Sequence, residues 1–388
     1  MKQIKFSFSK NINVAQKLVI ILVIFGLVPA TSLFGVFEYS KGSFTAITRQ
    51  PFLEIALSIG DTIDRNFFER YGDVQAFGLN TAVYDSANWA NPSEDNPLIG
   101  AMNGYMTGYG IYKLMLLLDN KGQVLAVNSV DAQGKPLTTN ALYSQNFSSM
   151  SWFKKARDGD FLKGTNGFTG TSVGQADGNR TIAELYNSDG FVIPFSAPVK
   201  NKRGETIGVW VNFADFGLVE DIFAEFYGHF ARKGMKSAEL TLLDPEGNIL
   251  VDYDPVGQGW AKYSRDRNVI GKFNLAAKNV EAASRAIRGE NGSLDSFHAR
   301  KGIWQASGFA RTKGAYNYPG LGWSVLVRVP IEEAYASVNE IERTQIIAIA
   351  VAALLILAIG YPLGKAASAP LRGMTIAMSK LAEGDTAI

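Results

Sequence analysis

The sequence predicts an α+β protein with two lobes built alike. Each lobe is a mixed sheet with helices on one face, and both are carried between two apolar helices long enough to cross a membrane. Three observations predict this. First, residues 117–128 read LLDNKGQVLAVN and residues 242–252 read LLDPEGNILVD. Both contain L-L-D-x-x-G between apolar strands, and each opens the same order of elements. Second, residues 18–37 and 344–364 contain no charge; a helix of about 20 residues spans about 30 Å, the thickness of a bilayer core. Third, 388 residues at 47% hydrophobic content are enough for more than one core.

The chain opens with Lys2, Lys5, Lys10 and Lys17 and no acid in residues 1–17. A lysine-rich end stays in the cytoplasm, and two crossings return the C-terminus to the same side. The alternative for residues 18–37 is a cleaved signal peptide, but the apolar stretch is long for one and no small-x-small site follows. Pro29 within it is tolerated in a membrane helix. The alternative for residues 344–364 is a buried core helix; Arg343 and Lys365 bracket the run as they would a membrane span. Residues 38–343 then lie outside. Net charge is only +2 with no broad basic surface, which argues against nucleic acid as a partner. The absence of cysteine excludes disulfides and thiolate metal sites.

Within the outer segment Pro51 reads as a helix start. Residues 52–79 carry Ile55, Ile59, Ile63, Phe67, Tyr71 and Val74 at helical spacing. That stripe needs a partner, most simply a second copy of itself. Residues 84–97 (YDSANWANPSEDNP) are turn-rich and read as a loop. A short helix is expected at 98–112, strands at 114–118 and 123–128, and a helix at 147–158. Strands follow at 167–171, 181–186, 191–199 and 205–213, then a helix at 216–230. The second copy is shorter: strands at 238–243 and 248–252, a helix at 274–288, strands at 292–298, 303–311 and 323–329, and a helix at 331–343 running into the second span. GVWVN (208–212) and GWSVLVR (322–328) each precede a helix. The lobes therefore run about 80–215 (distal) and 238–330 (proximal). L-L-D-x-x-G alone is a common hairpin turn, with Asp and Gly where a tight turn favours them. Two copies followed by one element order are better explained by two similar lobes.

Tandem PAS-like lobes, a long N-terminal helix and flanking spans resemble the double Cache (dCache) sensor domain of bacterial methyl-accepting chemotaxis receptors. The resemblance covers residues 38–343 and is architectural. Residues 369–388 (APLRGMTIAMSKLAEGDTAI) resemble the first helix of a HAMP domain. Pro370 follows the membrane, Leu371, Met374, Met378 and Leu381 keep heptad-like spacing, and Gly384-Asp385 lie near the helix end. A 3-4-3 stripe is a bundle seam, so a parallel homodimer is implied; an ordinary amphipathic juxtamembrane helix is the alternative. HAMP units have two helices and residues 365–388 supply one. The expectation is the sensory portion of a longer receptor of the bacterial inner membrane: multi-pass, sensor domain periplasmic, signalling domain cytoplasmic. Histidine kinases and diguanylate cyclases use the same front end. A membrane-anchored binding or adhesion module is the alternative of another class.

In amino-acid-sensing members of that family, the distal lobe holds the ligand carboxylate with an Arg-x-Trp-Tyr helix motif and the ammonium with downstream acids. Here Met150-Ser151-Trp152-Phe153 replaces the arginine and the tyrosine, and Tyr186-Asn187-Ser188 replaces a strand acid. Asn212 takes the third position, with Asp215 three residues on. The resemblance thus implies a ligand site at Trp152, Phe153, Tyr186, Ser188, Asn212 and Asp215. A carboxylate out of water needs a charge partner or strong donors. Without them, aromatic faces and neutral donors suit a neutral or heteroaromatic small molecule. Trp152 and Phe153 also fit as plain core residues of an amphipathic helix. No enzyme activity, cofactor or metal is expected: His229 and His298 are far apart in sequence, Asp119-x-x-Gly122 and Asp244-x-x-Gly247 lack calcium-loop spacing, and residues 164–174 lack a phosphate-loop lysine.

Overall fold

A computed structural model describes residues 14–260 and 262–383. It divides into two compact units. One comprises Met1–Thr48 with Tyr335–Ile388, the other Arg49–Ala334. Helix α1 (Val14–Phe77) begins in the first unit and ends in the second. Pro51 lies inside it and does not start a separate helix, because the residues on both sides are helix-compatible and one lost backbone bond is affordable.

In the second unit, α2 (Pro97–Tyr109) follows a loop and leads into β1 (Tyr112–Asp119) and β2 (Val124–Val127). Then come α3 (Ser151–Asp158), β3 (Ser172–Val173), β4 (Asp177–Gly178), α4 (Arg180–Tyr186), β5 (Phe191–Lys200) and β6 (Thr206–Asp215). Helix α5 (Gly217–Arg232) connects to the proximal lobe: β7 (Glu239–Leu243), β8 (Ile249–Tyr253), α6 (Glu281–Ile287), β9 (Gly292–His298), β10 (Ile303–Arg311), β11 (Ser324–Pro330) and α7 (Ile331–Ala334).

The two sheets share one topology. Strand order is β2-β1-β6-β5-β3 in the distal lobe, with β4 also on β5, and β8-β7-β11-β10-β9 in the proximal lobe. Every pairing is antiparallel, where a mixed sheet was expected. The repeated hairpins match bond for bond. Asp119 Oδ1 accepts from the N–H of Lys121 and Gln123, each at 2.8 Å; Asp244 Oδ1 accepts from Glu246 at 3.0 Å and Asn248 at 2.8 Å. Gly122 and Gly247 take φ of +81° and +93°, and the register slips at Leu117/Leu118 and again at Leu242/Leu243.

The apolar stripe of α1 is satisfied within its own chain, not by a second copy. Of that stripe Ile59, Ile63, Phe67, Tyr71 and Val74 are buried and Ile55 is half-buried; Phe52, one turn earlier, is buried too. Phe67 meets Phe195 of the distal sheet at 5.6 Å and Trp323 beside the proximal sheet at 5.3 Å. A Cβ at Gly308 on β10 would lie 2.1 Å from the Phe52 carbonyl carbon, so only glycine allows this approach.

Several expected elements moved. Residues 181–186 form α4, not a strand: Asn179 caps it by accepting from Ile182 N–H, Arg180 pairs with Glu184 at 2.9 Å, and Asn187 closes it in the left-handed region. Residues 167–171 lie in turns ahead of the short β3, since Gly167 and Gly170 both have positive φ. The helices expected at 147–158 and 274–288 begin at Ser151 and Glu281, after turns.

In the first unit, α8 (Ala336–Ala382) runs through Pro362 and Pro370, so Pro370 does not open a new helix. Two helices, within Val19–Phe77 and Ala336–Ser379, are long and apolar enough to cross a membrane. Phe25, Leu33, Leu354 and Leu357 are exposed, as a lipid-facing surface requires. The helices touch where Gly26 meets Ile356 and Gly360 meets Leu22, and Lys41 pairs with Glu342. Met374, Met378 and Leu381 are exposed. The Leu371 side chain, Gly384-Asp385 and the lysines at 2, 5 and 10 lie outside the described residues.

Candidate functional site

The distal sheet has α1 on one face and α3 and α4 on the other. Alternation along β6 decides which side chain faces which. Phe213, Val211 and Val209 join the α3-side cluster with Leu114, Leu116 and Leu118 of β1. Trp152 sits in that cluster, edge-on to Phe213 at 5.4 Å and 6.0 Å from Phe147. Its carbonyl accepts from Ser196 Oγ on β5 at 2.9 Å. Phe153 is wholly buried beside it, with the Arg157 guanidinium 5.7 Å from its ring centroid.

Tyr186, the last residue of α4, packs against the same cluster and donates its O–H to the Lys113 carbonyl at 2.7 Å. Asp215 ends β6; its Oδ2 lies 2.9 Å from Lys113 Nζ and its Oδ1 accepts from Gly217 N–H at 3.0 Å. Lys113 Nζ also lies 5.0 Å from the Tyr186 ring centroid. Burial, then the negative charges of Asp131 and Asp215, push the Tyr186 phenol well above its ordinary value. It stays a neutral donor at physiological pH.

The structure therefore brings together Trp152, Phe153, Tyr186 and Asp215, but not the other two expected residues. Asn212 faces the opposite side of the sheet, toward α1. Its Oδ1 accepts from Trp210 Nε1 at 2.7 Å, and Trp210 packs near Phe77. With Phe213 turned toward α3, its neighbour must turn away, so Asn212 cannot reach Trp152 through the sheet. Ser188 is exposed in the turn after α4, where its Oγ accepts from Gly190 N–H at 3.2 Å.

Lys113 was missed from the sequence. It is the extra residue of a bulge: β1 pairs with β6 through Tyr112↔Ala214 and Leu114↔Phe213, skipping it. A bulge re-aims a side chain. Tyr112 is thereby free to donate to Asp73 at 2.5 Å on the α1 side while Lys113 turns to Asp215. The available signal was a lysine breaking the alternation at a strand start.

Beyond this site, Arg265 ties the lobes together. It donates twice to Asp189 beside α4, at 2.8 Å each, and twice to Glu220 on α5, at 2.6 and 2.8 Å. Among the described residues no group of three metal-ligating side chains comes together.

No protein-family model and no curated protein matches the chain. Solved structures do. The extracellular domain of vpHK1S-Z8, described as a histidine kinase, is 14% identical over 76% of this chain and 96% of that chain, with a TM-score of 0.50. The ligand-binding domain of the Campylobacter jejuni chemoreceptor Tlp3, in complex with 4-methylisoleucine, is 11% identical over 76% and 96%, TM-score 0.49. That of the Pseudomonas fluorescens chemoreceptor CtaA, in complex with L-leucine, is 14% identical over 74% and 97%, TM-score 0.46. At 14% identity the likeness to the vpHK1S-Z8 extracellular domain is one of fold alone.

Proposed function

We propose that the chain is the sensory portion of a bacterial transmembrane chemoreceptor that binds a small molecule in its distal lobe. The observation that carries this is the repeated lobe: one hairpin-led antiparallel sheet built twice on α1, in a chain with two candidate membrane helices. Binding is the task we assign to the aromatic site on the α3 side, where Trp152, Phe213 and Tyr186 come together. The output would pass by chain continuity from the proximal lobe into α8 and the seam of Met374, Met378 and Leu381, which buries its stripe only in a dimer. A histidine kinase output is the second reading, favoured by the fold likeness to vpHK1S-Z8. The segment following Ile388 in the gene tells the two apart.

The ligand we favour is neutral or heteroaromatic. Lys113 and Asp215 already neutralise each other, so an uncharged ring meets a neutral lining beside Trp152 and Phe213. A zwitterionic amino acid is the competing ligand, because splitting that same pair would supply a cation for its carboxylate and an acid for its ammonium. Calorimetric titration of the full chain in nanodiscs with heteroaromatic bases and with L-leucine decides between them. Heteroaromatic bases should bind saturably and keep their affinity in Lys113→Met, and L-leucine should bind neither protein. Saturable L-leucine binding that vanishes in Lys113→Met would overturn the neutral-ligand assignment; no binding from either class would overturn the site.

A further inference from the structure

On β10, Gly308 faces α1, where a Cβ would meet the Phe52 carbonyl carbon at 2.1 Å. Strand alternation puts Ala306 and Trp304 on the same face. Register then sets Asp295 of β9 beside Ala306, and Phe297 beside Trp304. Asp295 Oδ2 lies 3.5 Å from Arg49 Nη1 on α1. Followed from Phe52 back to Arg49, α1 therefore runs along this face towards Trp304 and Phe297. The two rings meet edge-on at 5.8 Å, yet they stay 53% and 48% exposed. Two touching aromatics at the edge of a sheet are a sticky patch unless something covers them.

Both connections to the apolar runs leave from this end of the sheet. Pro330, the last residue of β11, pairs with Gln305, next to Trp304, and α7 and α8 follow it. On the other side, residue 37 ends the first charge-free run and Arg49 comes 12 residues later (49 − 37) in the same helix, so at most about 18 Å separates them. Trp304 and Phe297 lie one two-residue strand step past the partner of Arg49, about 7 Å nearer that run. About 11 Å then remains, which any tilt of the helix shortens. The headgroup layer of a bilayer is roughly 5–7 Å thick on each side, so the rings come within reach of it.

The chemistry of the patch suits that layer. Tryptophan has an apolar ring with one polar N–H and is the residue that concentrates at membrane–water boundaries. The cations nearby are already engaged. Arg49 is held by Asp295; in the turn between β9 and β10, Arg300 is held by Asp252, and Lys301 by Glu239 and Asp254. The hairpin thus offers rings in place of a basic patch, and anionic lipid is not what it selects.

We propose that the β9–β10 hairpin is a membrane foot: Phe297 and Trp304 rest in the headgroup layer of the outer leaflet, against zwitterionic lipid. The inference rests on the reading of residues 18–37 and 344–364 as membrane crossings. Together with α1 and α8, the foot gives the sensing unit a third point of attachment, and three points fix its tilt over the membrane.

The chain contains no cysteine, so a fluorescent label can be placed at one position at a time. Ala299→Cys puts it on the exposed tip of the hairpin and keeps both rings. Glu246→Cys puts it on a turn at the opposite end of the same sheet, where Leu243 pairs with Ser324. Leu354→Cys, exposed on α8, reports the crossing itself. Each labelled full chain is set in phosphatidylcholine nanodiscs carrying a nitroxide on the headgroup or on the acyl chain. The headgroup nitroxide quenches the 299 label several-fold more than the 246 label, and added salt leaves the difference unchanged. Phe297→Ser with Trp304→Ser removes the difference while the chain still unfolds cooperatively. Equal quenching at 299 and 246 overturns the proposal, as does excess quenching at 299 that survives loss of both rings. Energy transfer between chains labelled at 299, abolished by the two serines and without excess headgroup quenching, would mean that the rings meet a second copy, and also overturns it. A 354 label that the acyl-chain nitroxide does not quench overturns the membrane crossing itself, a failure distinct from the others.

Discussion

Two buried carboxylates set opposite pH trends. Asp64 on α1 accepts from the backbone N–H groups of Lys313 at 3.1 Å and Gly314 at 2.7 Å, but burial outweighs them and raises its carboxyl from 3.8 to about 6. The folded state then holds this proton more tightly than the unfolded chain. Stability is greatest below the unfolded value, falls as pH rises towards about 6, and is flat above. Asp64→Asn keeps one acceptor and removes the titration. It should raise stability near pH 7.5 by on the order of 2 kcal/mol and flatten melting temperature between pH 4.5 and 6.5. Glu239 has the reverse sign: its folded value is lowered, so its contribution is present above the ordinary 4.5 and is lost as pH falls below that. Phe67→Ala, which removes a ring lodged between Phe195 and Trp323, should cost about 3–5 kcal/mol in chemical denaturation. At this scale the sequence set Trp152 and Phe153 side by side and misplaced two polar groups, Asn212 and Ser188. Trp152 and Phe153 are set by helix periodicity. Asn212 depends on knowing a strand register to one residue, and Lys113 on a bulge that its charge at a strand start hints at but does not locate.

Hairpins were the most legible elements, because their turn chemistry is local. Gly122 and Gly247 both hold positive φ. Alanine at either position is strained, by roughly 1–3 kcal/mol. Gly122→Ala should be the worse, since its Cβ would meet the Ser148 backbone nitrogen at 2.4 Å, whereas that of Gly247 meets the Ala276 side chain at 2.9 Å. Paired melting curves of the two variants check the order. Gly308→Ala should lower stability further by forcing α1 off the proximal sheet at Phe52. Short segments were least legible. RTIAELY (180–186) mixes three strand formers with four helix formers over only seven residues, and the Asn179 cap and the Arg180–Glu184 pair add to the helical side. The stripe of α1 showed that a partner was needed, but periodicity cannot say whether that partner is another chain or two sheets of the same one.

Across the whole molecule, the duplicated lobe was visible from the two L-L-D-x-x-G hairpins and the element order behind them. The clasp between lobes was not, because Arg265 lies in an irregular stretch and its partners Asp189 and Glu220 are far away in sequence. Arg265→Met strips the partner from a buried carboxylate, Glu220, and a half-buried one, Asp189, so it should cost on the order of 3 kcal/mol. It should also make the Arg49–Ala334 unit unfold in two transitions, as scanning calorimetry would show. The central claim is that both hairpins belong to a sensing unit outside the cell, between two membrane crossings. The chain contains no cysteine, so single cysteines report cleanly. Lys121 and Glu246 are exposed at equivalent positions of the two turns. In intact spheroplasts, a membrane-impermeant maleimide should label Lys121→Cys and Glu246→Cys alike, as fully as after lysis. Labelling of either position only once the membrane is broken would contradict the account.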